Sequence, residues 1–291
     1  MNIKLINLQR SVKANTLQSI LNQGIQELTN MSCSASLDAQ LLLAYTLGKT
    51  PTYLVAWPET VIAEADSNIF SALIASRKKG VPLAYLTGSK EFWSLDFKVT
   101  PDVLIPRPDT ELLVETALEL CTNKTEVRIL DLGTGSGAIS IALASELPSA
   151  EIIATDLSEK ALIIAKENTA RHQIKNIELI QSDWYSAIPK QRFDIIVSNP
   201  PYIRDDDPHL QTDIRYEPYS ALVAEQKGLA DIEKITSGVS DYLSKDGHLL
   251  IEHSYDQSED VLTILRTKFS QAKTLKDYAS NDRLSLAHQL L

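Results

Sequence analysis

Two short runs carry residue types and spacings that can do chemistry. The first is N-P-P-Y, Asn199, Pro200, Pro201 and Tyr202, directly after F-D-I-I-V-S. Its two prolines cannot continue a strand, so the chain must leave a sheet there. In an open α/β sheet that exit lies at the carboxyl edge, where ligands bind. A planar conjugated NH₂, in a carboxamide or an adenine, is a poor nucleophile because its lone pair is delocalised. The Asn199 side-chain oxygen and the Pro200 carbonyl can each accept one of its N–H bonds. Two acceptors aim such a nitrogen at an electrophilic methyl carbon and stabilise the positive charge that develops. Tyr202 offers a face for the planar group. The second run is D-L-G-T-G-S-G, Asp131 to Gly137, about 60 residues upstream. Its glycines permit a sharp turn and a close approach of backbone to ligand.

Asp156 falls 23 residues after Gly133. At the end of the next strand it can accept both ribose hydroxyls of an adenosine. The G-x-G-x-G spacing of Gly133, Gly135 and Gly137 differs from the G-x-G-x-x-G of dinucleotide folds. S-D-W adds Asp183, an acceptor for an adenine amino group, and Trp184, a cover for its face. Trp184 as a core residue and the glycine run as a purely structural turn stay open at this point.

These runs need a scaffold. From Asp109 onward the pattern alternates strands and helices: strands at 127–130, 151–155, 177–181, 193–198 and 248–252, with Thr110 or Asp109 capping a first helix and Ser158 another. That alternation predicts a parallel sheet covered on both faces, an α/β fold. Residues 283–290 also alternate and are expected to close the sheet edge. Residues 92–99 alternate as a strand, and Pro106 and Pro108 exclude a helix beside them, so residues 81–106 read as a β-hairpin or extended linker. Before that the chain is helical. Leu17, Ile20, Leu21, Ile25 and Leu28 share one face; Leu37, Leu41, Ala44 and Tyr45 share another, ended by Gly48. A third helix starts near Asp66, runs through Ile69, Leu73 and Ile74, and closes on Arg77, Lys78 and Lys79 as capping cations before Gly80. The resulting division is 1–80, 81–106 and 107–291.

Composition narrows the function. The 291 residues are 44% hydrophobic and 23% charged, an ordinary globular balance. Apolar stretches such as 41–44 and 195–197 fall far short of the ~20 residues that span a bilayer. M-N-I-K-L-I-N-L-Q-R holds no apolar run of signal length, so a cytoplasmic protein with no membrane partner is expected. Cys33 and Cys121 form neither a disulfide framework nor a zinc spacing, and the five histidines show no ligand spacing, so no metal is expected. The net charge of −10 disfavours a nucleic-acid surface. It is uneven, +3 over residues 1–90 and −13 over 91–291, as for two units with different tasks.

Together D-L-G-T-G-S-G and N-P-P-Y resemble the class I S-adenosylmethionine-dependent methyltransferases that act on planar nitrogens. The likeness is closer still to the bacterial peptide chain release factor glutamine methyltransferases. L-D-A-Q-L-L-L-A-Y-T-L-G (37–48), the stretch 85–111 containing L-I-P-R-P-D-T-E, S-N-P-P-Y-I (198–203), R-Y-E-P-Y-S-A-L (215–222) and L-L-I-E-H (249–253) are similar to that family's signatures. The resemblance implies a Rossmann-like, seven-stranded methyltransferase domain, a small all-helical N-terminal domain and a hairpin linker. It implies S-adenosylmethionine as donor and S-adenosylhomocysteine as product. The acceptor it implies is the glutamine of the Gly-Gly-Gln tip of class I release factors. By position, Gly133, Thr134, Gly135, Ser136 and Gly137 then line the donor, with Asp156 on the ribose and Asp183 and Trp184 near the adenine. Asn199, Pro200, Pro201 and Tyr202 hold the glutamine. The sequence departs at Ser254, where the family usually has glycine. Arg204, Asp205, Asp206 and Asp207 read as a solvated loop, Arg215 and Glu217 as braces for the segment after N-P-P-Y, and Arg107 and Asp109 as a pair across the linker. The alternatives are an adenine-methylating DNA enzyme, a nicotinamide-dependent oxidoreductase, and a non-catalytic module that only binds the donor.

Overall fold

The computed structural model describes residues 15–122, 124 and 126–291, so the run M-N-I-K-L-I-N-L-Q-R lies outside the described residues. Contacts divide the chain into two units, with the break between Thr87 and Gly88.

The first unit is helical: α1 (Leu17–Leu28), α2 (Ala35–Leu47), α3 (Pro51–Ala56), α4 (Glu64–Lys78) and α5 (Leu83–Thr87). The Thr16 hydroxyl caps α1 by accepting from the Ser19 N–H, and Leu17, Ile20, Leu21 and Leu28 are buried. Gly48 ends α2 in the left-handed conformation, φ +59°. The buried face of α2 is not the expected one. Ala39, Leu42, Leu43 and Ala44 point inward, while Leu37 and Tyr45 are 54% and 52% exposed. The run L-L-L-A-Y is apolar on every side, so periodicity alone does not choose a face, and the true stripe passes through an acid, Asp38. The side chain of Arg77 on α4 reaches that acid, its Nε donating to Asp38 Oδ2 at 2.8 Å. Arg77 is therefore half of a buried ion pair rather than a simple capping cation, although its Nη1 also donates to the Val81 carbonyl. On α4 the inward residues are Phe70 and Ile74, and Ile69 is exposed.

The second unit opens with a hairpin, β1 (Ser89–Phe92) and β2 (Leu95–Lys98), whose Phe92 and Phe97 are buried in one of the unit's two cores. Then follow α6 (Glu111–Cys121), β3 (Arg128–Leu132), α7 (Ala138–Glu146), β4 (Glu151–Asp156), α8 (Glu159–Arg171), β5 (Ile177–Gln181) and β6 (Phe193–Ser198). After them come α9 (Glu225–Gly228), α10 (Ala230–Gly238), β7 (Leu243–Glu252), α11 (Ser258–Leu265), β8 (Phe269–Lys276) and β9 (Asp282–Leu290). The seven-stranded sheet has the order β5-β4-β3-β6-β7-β9-β8. β3 to β7 are parallel; β9 runs antiparallel to β7 and to β8.

The last strand thus corrects one expectation: β9 is inserted between β7 and β8, and β8 forms the edge. The sequence F-S-Q-A-K-T-L-K of β8 is mostly polar, as suits an edge protected by lysines, and it gives little strand signal. Alternation in the central strands sends side chains to two cores. Ile129, Ile195, Val197 and Leu250 enter one; Leu130, Leu132, Ile196, Leu249 and Ile251 enter the other. Each such burial contributes about 1.5–3 kcal/mol, which holds the carboxyl ends of β3, β4 and β6 in fixed register.

Candidate active site

At the carboxyl end of β3 the chain turns through Gly133, Gly135 and Gly137 with φ of +78°, +57° and +84°. L side chains rarely adopt that region, which explains the glycine at alternate positions. The Gly133 and Thr134 N–H groups both donate to the Thr155 carbonyl of β4, at 2.9 and 2.8 Å. Beneath the turn, Asp131 accepts from the Thr134 hydroxyl at 2.7 Å and from the Ser140 hydroxyl. Its other oxygen, Oδ1, is buried with no partner among the described residues. Burial pushes the Asp131 carboxyl up to about 6, against the pull of the two hydroxyls.

Asp156 ends β4. Its Oδ2 accepts from the Gly135 N–H at 2.8 Å and its Oδ1 from the Ser158 N–H at 2.9 Å. Burial raises its pKa and these backbone bonds oppose the rise. Ser158 also caps α8, accepting from Ala161 N. After β5, Trp184 sits at φ +47° with its ring beside the turn; a methyl group on Gly133 would lie 3.8 Å from it. Trp184 packs on the second core, as the core reading expects, and also lines the cavity.

β6 delivers Asn199. The Ser198 hydroxyl donates to the Leu132 carbonyl at 2.7 Å, which ties the end of β6 to the start of the glycine turn. Asn199 Nδ2 donates to Thr110 Oγ1 at 3.2 Å. Its Oδ1 accepts no hydrogen bond from the described residues, and neither does the Pro200 carbonyl. Thr110 stands at the N-cap of α6, one of the two residues expected there, but its side chain makes no capping hydrogen bond. Its hydroxyl serves Asn199 instead. The Tyr202 hydroxyl donates to Glu252 Oε1 at 3.3 Å, and its backbone carbonyl accepts from Gln257 Nε2 at 3.0 Å. Gly228 packs against that same carbonyl: a Cβ there would come within 2.1 Å of it.

These pieces enclose a cavity of about 460 Å³. Gly133, Gly135, Asp156, Asp183, Trp184, Asn199 and Pro201 line it. A crevice of about 50 Å³ beside it is lined by Thr110, Arg107, Thr134, Ser136 and Asn199 among others. Gly137, Pro200 and Tyr202 line neither space. Gly137 faces Ile141 and Ala165, and the Tyr202 hydroxyl is turned to Glu252. Sequence reasoning passed over Asp102, Val103, Leu104, Pro218, Ser220, Asp231 and Lys234, which also line the cavity. Only the prolines flanking the first group hinted at a fixed path. Arg107 pairs with Glu217, not with Asp109, and Glu217 also accepts from the Ile105 N–H at 2.9 Å. Asp109 pairs with Arg283 at 3.3 Å. Arg204 pairs with Asp206 on an exposed loop. Ser254 is absent from the left-handed residues; its N–H donates to Gln257 Oε1 at 3.0 Å, so serine costs no strain there.

The cavity joins a half-buried carboxylate, Asp156, to a glycine turn with open space where a Gly135 side chain would be and to an indole wall, a set of groups that can take a nucleoside with a charged tail. Among the described residues no cluster of His, Cys, Asp and Glu could hold a metal, and no helix is long and apolar enough to cross a membrane.

A model described as Methyltransferase small domain matches residues 108–217, and one described as PrmC N-terminal domain matches residues 19–88. A release factor glutamine methyltransferase of Aliivibrio fischeri is 44% identical over 275 residues, covering 93% of this chain and 96% of the relative. That of Escherichia coli K12 is 45% identical over 271 residues, covering 92% and 97%. A methyltransferase structure from Pyrococcus furiosus, 19% identical, superposes with a TM-score of 0.51 over 74% of this chain and 95% of that one, which supports the fold.

Proposed function

This chain belongs to the release factor glutamine methyltransferases, and on that premise we propose that it methylates the side-chain amide of a release factor glutamine, the one in the Gly-Gly-Gln tip. S-adenosylmethionine supplies a methyl carbon activated by its sulfonium: the C–N bond forms as the C–S bond breaks, the electron pair stays on sulfur in neutral S-adenosylhomocysteine, and the nitrogen sheds one proton to solvent. Gly133, Gly135 and Asp156 would hold the donor's ribose and tail, with Asp183 and Trp184 against its adenine. Asn199 Oδ1 and the Pro200 carbonyl would accept the two amide N–H bonds and hold the nitrogen in line with the methyl carbon. Tyr202 would act from behind this loop, through Glu252, more than as a wall.

The observation that carries this reading is the state of Asn199: its amide nitrogen is already engaged by Thr110, so its oxygen is the end left to accept at the cavity. We assign substrate docking to the helical domain, residues 1–80. Met31, Val55, Trp57 and Val61 are exposed there, apolar surface that a protein partner can cover. With a release factor as substrate the reaction would take place in the cytoplasm. The test is incubation with labelled S-adenosylmethionine and a purified class I release factor, followed by mapping of the label. One methyl on the glutamine amide is expected. Label on DNA adenine in a parallel reaction, and none on the protein, would overturn the reading.

A further inference from the structure

Asparagine has two ends of nearly equal size and shape, and only one of them can accept a hydrogen bond. Packing around Asn199 therefore does not by itself decide which end faces the cavity; its contact with Thr110 does. A hydroxyl has one hydrogen. If Thr110 pointed that hydrogen at Asn199, the amide oxygen would turn to meet it and the wrong end would face the cavity. Something must draw the Thr110 hydrogen elsewhere.

Glu252, at the end of β7, is placed to do so. Its side chain is buried, at 1% exposure, and Thr110 stands beside its carboxylate. Oε1 accepts from the Tyr202 hydroxyl at 3.3 Å. Oε2 is buried with no well-formed hydrogen bond among the described residues, so it has capacity for one more donor. We propose that Glu252 is a positioning residue for the transfer: its carboxylate draws the Thr110 hydrogen, leaves the Thr110 oxygen to accept from Asn199 Nδ2, and so keeps Asn199 Oδ1 turned toward the substrate amide. The relay rests on the reading of Asn199 given under the proposed function.

The relay has a direction that protonation reverses. An ionised carboxylate only accepts; a protonated one also donates. Protonated Glu252 can donate to the Thr110 oxygen, which frees the Thr110 hydrogen for Asn199 and favours the wrong end of the amide. Burial is the largest influence on this carboxyl and pushes it up to about 7; Thr110, Arg283 and Tyr202 hold it down, and Asp109 raises it. Arg283 comes from β9 and Asp109 from the turn before α6, so charged groups from two other elements bear on where it titrates. Turnover should therefore rise with pH through an inflection near that value, although the substrate amide itself does not titrate there.

The test is the full chain with S-adenosylmethionine and a purified release factor, comparing Glu252→Gln with the unsubstituted protein. The relay predicts kcat down about 10- to 100-fold, the equivalent of one hydrogen bond to a charged group. Donor affinity by calorimetry should be unchanged, and the pH inflection should be lost. Thr110→Val should reproduce the drop and Thr110→Ser should restore it, which keeps the test sound if the glutamine variant folds poorly. Equal kcat and an unchanged pH profile in Glu252→Gln, or near-normal turnover in Thr110→Val, would overturn the relay. If Asn199→Ala alone is inactive in that case, the amide clamp stands without the relay. No glutamine methylation by the unsubstituted chain would remove the clamp and the relay together.

Discussion

Asp38 in the helical unit and Glu252 in the sheet unit are both buried acids reached by an arginine's charge, and they are held in opposite states. Asp38 accepts from Ser32, Ser34 and Arg77 at 2.8 Å each, so both of its oxygens are used. Burial alone would raise its pKa, but the hydrogen bonds, led by Arg77, outweigh it and leave the carboxyl below its usual range. Glu252 receives one well-formed hydrogen bond, from Tyr202, and has only the Thr110 hydroxyl beside it as a further donor, while Arg283 spends its guanidinium on Asp109 and Asp277. Asp131 under the glycine turn shares this pattern. A fully bonded acid fixes a packing arrangement. An incompletely bonded one stays responsive to protons, and here two of them stand directly behind the loops that line the cavity.

Arg77→Ala leaves Asp38 buried without its main donor and is expected to cost the helical unit about 3–5 kcal/mol, read by denaturant unfolding. A loss below about 1 kcal/mol would mean that the pair behaves like a surface salt bridge. Glu252→Gln should cost far less stability than Asp38→Asn in the same assay, since it removes a charge that burial already opposes. Gly135→Ala meets no atom within 4 Å yet must adopt φ +57°, so a strain of about 1–2 kcal/mol is expected without a steric clash. Donor affinity by calorimetry should fall with it.

The acids also predict opposite pH trends. Asp38 is ionised more readily folded than unfolded, so its contribution is present above its ordinary pKa of 3.8 and is lost as pH falls through the lower folded value. Glu252 and Asp131 hold their protons in the folded state up to about 7 and about 6, against ordinary values of 4.5 and 3.8. Between those limits the unfolded chain has released protons that the folded chain keeps, so their contribution falls as pH rises. Calorimetric unfolding at steps from pH 4 to 8 should show the sheet unit losing stability toward neutrality, with a shallower loss in Glu252→Gln. The smallest effect expected is Ser254→Gly: a serine outside the left-handed region should change stability by no more than about 0.5 kcal/mol.

Much of the sheet unit was legible because its strands are short, apolar and bounded by glycine and proline. The strand at 193–198 matches β6, and the glycine turn, Asp156 and Asn199 meet at one cavity. β8 escaped because an edge strand needs no apolar alternation, and its absence from the reading put β9 at the wrong place in the sheet. Thr110 read as a cap because a threonine before a helix normally is one; its real partner lies 89 positions away. Glu252 stood within the family-like run L-L-I-E-H but gave no sign of its burial, since that run reads as the polar end of a strand; the burial appears only when Tyr202 and Arg283 pack around it. In the helical unit the inward face of α2 was hidden for the same reason: a long-range pair, Asp38 with Arg77, decides it.

The most direct test of the account is Asn199→Ala, assayed for methyl transfer to a release factor and, separately, for donor binding by calorimetry. The account predicts turnover down at least about 10²–10³-fold, the scale on which a single charge-stabilising hydrogen-bond partner acts, with donor affinity within a few-fold of the unsubstituted chain. Near-normal turnover would contradict it, because the oxygen taken to hold the acceptor nitrogen would then be dispensable.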